Sequence, residues 1–311
     1  MAEQRAFRFG VAAARPRSRQ EWAEQARKAE ALGYAVLLLP DHFGDLLAPI
    51  PTLVAAADAT TTLRLGTFVL CNDFRHPAVL AQEAATIDLL SDGRLELGLG
   101  AGWLRAEYEQ AGIAYEPGPV RVARLEESVR IVKGLLAGET VTFAGAHYTV
   151  TGLAGLPRPV QQPHPPLLVG GGGRRILTLA AREADIVSLA PRVRADGTRL
   201  DALDATPEAL ARKIAWVRQA AGERFAALEL NLLALATAVT PDRRAAAAQV
   251  ASRFGAPVDL VLATPHLLLG TIDEIAAQLQ STRARYGISY VVVFEDVMDA
   301  FAPVVARLAG T

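Results

Sequence analysis

The sequence predicts a single α/β domain over residues 1–311, folded as a (β/α)8 TIM barrel. Three observations carry this expectation. Short aliphatic and β-branched runs alternate with longer amphipathic ones, eight such short runs occur, and nearly all are separated by a helical segment. Parallel strands need crossover connections, and eight strand–helix units close most naturally into a barrel. A doubly wound open sheet is the alternative architecture for the same pattern.

The elements follow in order. Phe7 to Ala12 reads as the first strand. Ser18 with Glu21 three residues on is a capping-box pattern; Trp22, Ala26 and Ala29 then fall at helical spacing, and Gly33 is a stop. Val36 to Leu39 is a continuous apolar run ended by Pro40, as expected of a strand buried on both faces. Leu63 to Leu70 is the third strand. Pro77 opens a helix that runs to Leu90 and ends at the turn Ser91-Asp92-Gly93. Leu95 to Leu99 is the fourth strand, and Val120 to Leu136 a long helix. Residues 137–166 break the rhythm with a hairpin near Thr140 to Thr151 and five prolines from Pro157 to Pro166. They read as an excursion from the barrel rather than a linker.

The alternation resumes with Leu167 to Val169, a glycine run and a helix through Ala181. Asp185 to Leu189 is a strand. Thr206-Pro207 opens a helix to about Ala221, with an N-cap residue followed by proline in the first turn. Leu228 to Ala236 is a strand, and helices follow over 241–254 and 272–285, the second on a Thr271–Glu274 capping box. Tyr290 to Phe294 and Val297 to Leu308 are the last strand and helix.

Composition narrows the function. Apolar residues make up 51% of the chain and charged residues 21%, so a large core is available and wholesale disorder is excluded. Lys and Arg total 32 against 33 Asp and Glu, without the basic surplus of a nucleic-acid binder. The single cysteine, Cys71, excludes an intrachain disulfide and a cysteine-based zinc cluster. No apolar run reaches the ~18 residues of a membrane span, and the first residues contain no apolar signal region. The expectation is a cytoplasmic protein with a small-molecule substrate and neither nucleic-acid nor membrane partners.

Barrel active sites lie at the C-terminal ends of the strands. Asp41 and His42 follow the second strand, Cys71 the third, and Gly100, Ala101, Gly102 and Trp103 the fourth. Gly170, Gly171, Gly172 and Gly173 follow the fifth, with Arg174 and Arg175 next. Glycines allow close backbone approach, and the helix that follows turns free N–H groups toward the loop, so this run reads as an anion site. The arginines add charge-assisted donors. A tight strand–helix turn is the plainer explanation, but four glycines exceed its need. Gly98 to Gly102 lacks the third glycine of the dinucleotide fingerprint. Its glycines either let a flat ring lie at the barrel mouth or serve tight packing. His42 suits proton transfer or a bond to a carbonyl, with Asp41 available to orient it; a polar cap on a buried strand explains the pair equally well. The five histidines have no metal-ligand spacing, there is no GxSxG serine motif, and Cys71 reads as a small apolar residue.

Several blocks together resemble the bacterial luciferase-like monooxygenase superfamily: Phe9-Gly10-Val11, Pro40-Asp41-His42-Phe43, Asn72-Asp73-Phe74-Arg75-His76-Pro77, and above all Ser91 to Trp103, SDGRLELGLGAGW. Leu167 to Gly171 and Leu269-Gly270-Thr271 extend the match over most of the chain. The sequence is most similar to the branch that uses the deazaflavin coenzyme F420, with FMN as the alternative cofactor. The resemblance implies a ring across the barrel mouth, bordered by Asp41, His42, Val69, Cys71 and Gly100 to Trp103, with its phosphate on Gly171, Gly172 and Gly173. It also implies a cis non-prolyl peptide at Phe68–Val69. F420-dependent sugar-phosphate dehydrogenases carry a Trp shortly after the histidine and a Glu after the fourth strand; Leu46 and Trp103 stand at those places here. Their catalytic acid is therefore expected to be missing, leaving His42 as the candidate catalytic residue. The functions implied are hydride transfer on F420, an FMN-dependent monooxygenase, or a flavin-binding barrel without catalysis. A homodimer is the expected assembly.

Overall fold

A computed structural model describes residues 5–15 and 18–311. Residues 1–4, part of the stretch read for a signal region, lie outside the described residues. The barrel strands are β1 (Arg8–Ala12), β2 (Val36–Leu39), β3 (Arg64–Thr67, resuming as Leu70–Cys71), β4 (Leu95–Gly100), β5 (Leu167–Gly171), β6 (Ile186–Leu189), β7 (Glu229–Leu233) and β8 (Ile288–Phe294). All neighbours pair in parallel, β1 with β8 and β3 with β4, so the sheet closes on itself. The helices are α1 (Arg19–Ala31), α2 (Pro49–Ala59), α3 (Pro77–Leu90), α4 (Arg105–Ala111), α5 (Gly118–Leu136), α6 (Arg174–Glu183), α7 (Pro207–Ala221), α8 (Arg243–Phe254), α9 (Val258–Ala263), α10 (Ile272–Tyr286) and α11 (Met298–Leu308).

Two apolar layers explain the continuous apolar strands. Along β2, Val36 and Leu38 pack inside the barrel with Leu168, Ile186 and Val292, while Leu37 and Leu39 pack outward against the helices. Alternate side chains of one strand thus serve different cores, and every position is apolar.

The barrel floor is polar. Glu96 accepts from Arg8 at 2.5 Å and Arg64 at 2.7 Å, Arg8 also pairs with Glu229 at 2.6 Å, and the Arg8 guanidinium lies 3.8 Å over the Tyr290 ring. Removing the buried Glu96 carboxylate takes an anionic partner from two half-buried arginines, Arg8 keeping only Glu229 and Arg64 only neutral acceptors. Glu96→Ala is expected to cost about 3 kcal/mol or more in urea unfolding, by the usual cost of breaking a buried pair. A loss below about 1 kcal/mol, the range of exposed pairs, would show that water screens this layer.

The excursion forms as expected. Strands Thr140–Ala144 and Thr149–Ala154 pair antiparallel. Glu127 of α5 accepts the backbone N–H groups of Ala146, His147 and Tyr148 at 2.8–3.0 Å, tying the hairpin tip to the barrel.

The cis Phe68–Val69 peptide that the resemblance implies is present. Three differences from the sequence reading stand out. The third strand, read as continuous from Leu63 to Leu70, is divided into Arg64–Thr67 and Leu70–Cys71. The run read as Leu228 to Ala236 divides: β7 stops at Leu233, and Ala236–Val239 pairs in parallel with Leu267–Gly270 in a separate ribbon. Helices α2, α4 and α9 escaped the sequence reading; α4 and α9 are seven and six residues long, too short to display a period. Among the described residues no helix is long and apolar enough to cross a membrane.

Candidate active site

A cavity of about 1350 Å3 opens at the C-terminal ends of the strands. Asp41, His42, Phe68, Val69, Cys71, Gly100, Ala101, Gly102, Trp103, Gly171, Gly172, Gly173 and Arg174 all line it. The sequence candidates are therefore brought into one space. Several of their local roles differ from those read in the sequence.

His42 follows β2 and sends Nδ1 to the Glu107 carboxylate, 2.9 and 3.0 Å from its two oxygens. A carboxylate only accepts, so Nδ1 carries the hydrogen and Nε2 is left as the ring nitrogen for the cavity. The Phe43 N–H also donates to Glu107, at 3.1 Å, fixing the buried carboxylate from a second side. The Trp103 indole meets the imidazole edge to face, centroids 5.8 Å apart. Position 103 holds no acid, as read from the sequence, but a carboxylate that the sequence reading did not single out stands at the histidine. Glu107, four residues on in α4, reaches the same histidine.

Asp41 is not the orienting group. Its carboxylate accepts from Arg75 at 2.6 and 3.2 Å and from the Cys71 backbone N–H at 2.9 Å. It ties the end of β2 to the segment after β3.

Cys71 is a packed thiol. Its Sγ lies 3.1 Å from the Tyr108 hydroxyl, which donates to Asp73 at 3.0 Å, and Arg124 holds Asp73 at 2.9 Å. Burial pushes the thiol up to about 12 and the Tyr108 hydroxyl well above its usual range. Folded protein at pH 8 is expected to resist iodoacetamide, with Cys71 alkylated only after unfolding; mass spectrometry reads the difference. Rapid alkylation of native protein would contradict this packing.

Gly100, at the end of β4, and Gly102 beyond it are closely packed as well as lining the cavity. A Cβ on Gly100 would lie 2.6 Å from Val69 Cγ2, and Gly102, at φ +72°, would meet the Tyr108 hydroxyl. Arg121, buried on α5, donates to the Ala101 and Gly102 carbonyls and holds this loop from below. The sequence reading missed Arg121, because an arginine inside a long helix looks like a solvated face.

The opposite end of the cavity carries the glycine run. Gly172 is wedged against backbone: a Cβ there would lie 2.6 Å from Ala190 O, Arg192 N and Pro191 C. Gly173 is the N-cap of α6, has no side-chain cap, and a Cβ there would meet nothing within 4 Å. The first-turn N–H groups of α6 have no intrahelical acceptor, and exposed Arg174 and Arg175 flank them at the cavity edge. A phosphate fits this end: open space, backbone donors and cationic side chains converge. Phe68 and Val69 add apolar walls to the same cavity, which suit a flat ring.

A family model described as luciferase-like monooxygenase matches residues 6–288. The chain is 33% identical over 174 residues to an F420-dependent glucose-6-phosphate dehydrogenase of Amycolatopsis mediterranei (strain U-32), covering 53% of this chain and 52% of that protein. It is 32% identical over 109 residues to an FMNH(2)-dependent dimethylsulfone monooxygenase of Pseudomonas putida, covering 35% and 30%. The chain thus spans about half the length of the first relative and less of the second. Its fold is similar to that of the coenzyme F420-dependent tetrahydromethanopterin reductase of Methanopyrus kandleri, with a TM-score of 0.79, 17% identity, and coverage of 98% and 100%.

Proposed function

The chain belongs to the luciferase-like monooxygenase family, and from that premise we propose that it is an oxidoreductase moving a hydride between coenzyme F420 and a small organic substrate. The observation that carries the reading is one cavity with two unlike ends, an anion cradle at Gly173 and a Glu107-held histidine at His42.

A bound deazaflavin would supply a hydride at its ring and, unlike a flavin, would not readily activate oxygen. The protein supplies the rest. The N-terminus of α6 with Arg174 and Arg175 would hold the phosphate, and Phe68 and Val69 would back the ring. His42 would exchange a proton through Nε2 with a substrate hydroxyl or carbonyl oxygen. Glu107 fixes the tautomer that leaves Nε2 free and stabilises the imidazolium when it forms. Trp103, Leu46 and Phe74 keep the histidine end apolar and displace water.

F420 is preferred to FMN for two reasons. The dehydrogenase relative is matched over more of this chain than the FMN-dependent one. F420 also carries an anionic glutamyl tail beyond its phosphate, and exposed Arg174 and Arg175 stand where such a tail gains from charge. Titration of the purified protein is expected to show F420 binding at least about tenfold more tightly than FMN, a margin near 1.4 kcal/mol. The margin should shrink with added salt, since exposed charges are screened. Equal or stronger FMN binding would replace the proposal with an FMN-dependent monooxygenase.

A further inference from the structure

Away from the histidine end, Asp204 is a buried carboxylate with several partners, Arg212 at 3.3 Å among them. It lies in a short 3-10 turn (Ala202–Ala205) after β6, and its side chain and that of Lys213 on α7 are 2% and 1% exposed. Lys213 Nζ lies 2.6 Å from the carboxylate and donates to the Asp204 carbonyl at 2.8 Å. A buried lysine–aspartate pair adds little net stability over apolar residues of similar volume, because desolvation offsets the attraction. A bond to backbone gives Asp204 another role. The backbone N–H of Arg192 donates to Asp204 at 2.8 Å.

That same Arg192 nitrogen lies 2.6 Å from where a Gly172 Cβ would stand, beside Ala190 O and Pro191 C. The segment 190–192 is the back wall of the glycine cradle. Ala190 N–H donates to the Gly171 carbonyl at 3.1 Å, and the Arg192 carbonyl accepts from Asp201 at 2.7 Å. A continuous path therefore runs from rigid α7 through Lys213 and Asp204 to the wall that faces Gly172. The Arg192 guanidinium, at the cavity edge, also approaches Asp204, with Nε 3.4 Å away.

We propose that Asp204, locked by Lys213, is a positioning residue that sets the shape of the anion cradle by holding the Ala190–Arg192 backbone against Gly172. This rests on the cradle reading of the glycine run. The test compares two double variants, both free of buried charge. Asp204→Asn with Lys213→Met retains an acceptor for the Arg192 N–H, whereas Asp204→Leu with Lys213→Met removes it. Each is titrated by fluorescence quenching with FMN against riboflavin, a pair that differs in phosphate alone, and with F420 against its phosphate-free deazaflavin, a pair that differs in phosphate and tail. Melting curves confirm that both variants are folded.

The Leu/Met variant is expected to lose affinity for phosphate-bearing ligands by about tenfold or more while holding the phosphate-free ones within about twofold. The Asn/Met variant is expected to stay near wild type for both. Unchanged phosphate affinity in the Leu/Met variant, or parallel loss of both ligand types, would overturn the proposal and leave the cradle standing. Wild-type protein that binds phosphate-bearing and phosphate-free ligands alike would remove the cradle itself, and the proposal with it.

Discussion

Replacing His42 with alanine is expected to lower turnover by about 100- to 10,000-fold, the range for removing a general acid–base group. Its imidazole side chain is 29% exposed and makes one strong contact, to Glu107, so little of the core depends on it. The thermal midpoint should stay within about 2 °C of wild type, since at ~2.1 cal/mol/K per residue a ~1 kcal/mol loss shifts a chain of 311 residues by about 1.5 °C. Glu107→Gln tests the partner. The amide keeps the shape but cannot offer two anionic oxygens to Nδ1, so turnover should fall less than in the alanine variant while F420 affinity stays unchanged. Stopped-flow oxidation of the reduced cofactor with saturating substrate reads the step directly. Wild-type turnover in His42→Ala would remove the histidine from the chemistry and point to a ring-binding barrel without catalysis.

The barrel was legible because its strands declare themselves. Val36 to Leu39 and Leu167 to Val169 are apolar at every position, which only a strand covered on both faces tolerates. The pairing of His42 with Glu107 was not legible. The partners are 65 residues apart and meet only because β2 and α4 end at the same mouth. The helical signal that was present is Gly112, at φ +69°, the left-handed stop after Arg105–Ala111. Reading it as a C-cap would have placed Glu107 on a short helix facing the barrel.

Asp41 misled for a geometric reason. Consecutive residues in extended chain point to opposite sides, so the sequence neighbour of His42 was poorly placed to orient it. Asp41 turns to Arg75 and the Cys71 backbone instead. The glycines show the same limit. The run Gly170 to Gly173 before a helix read as a cradle, but only the folded chain separates Gly172, packed on the 190–192 backbone, from Gly173, open to the cavity edge. A bulky residue at Gly172 would therefore test packing and binding together.

Gly173→Asp separates them, with effects of opposite sign. Gly173 has φ −90° and ψ 153°, extended geometry that aspartate adopts readily, and its Cβ would meet no atom within 4 Å. As the N-cap of α6, an aspartate side chain can accept from the first-turn N–H groups and its charge faces the positive end of the helix dipole. Stability should rise by a few tenths of a kcal/mol, about the advantage of aspartate over glycine at an N-cap. The same carboxylate would occupy the donors that a phosphate needs and repel its charge. Affinity for F420 is expected to fall by about a hundredfold, or about 2.8 kcal/mol at 1.4 kcal/mol per decade. The phosphate-free deazaflavin should bind as it does to wild type. A variant that melts no lower than wild type yet binds F420 poorly cannot be explained by misfolding. Undiminished F420 affinity would instead place the phosphate away from α6 and return Gly170 to Gly173 to the role of a tight turn.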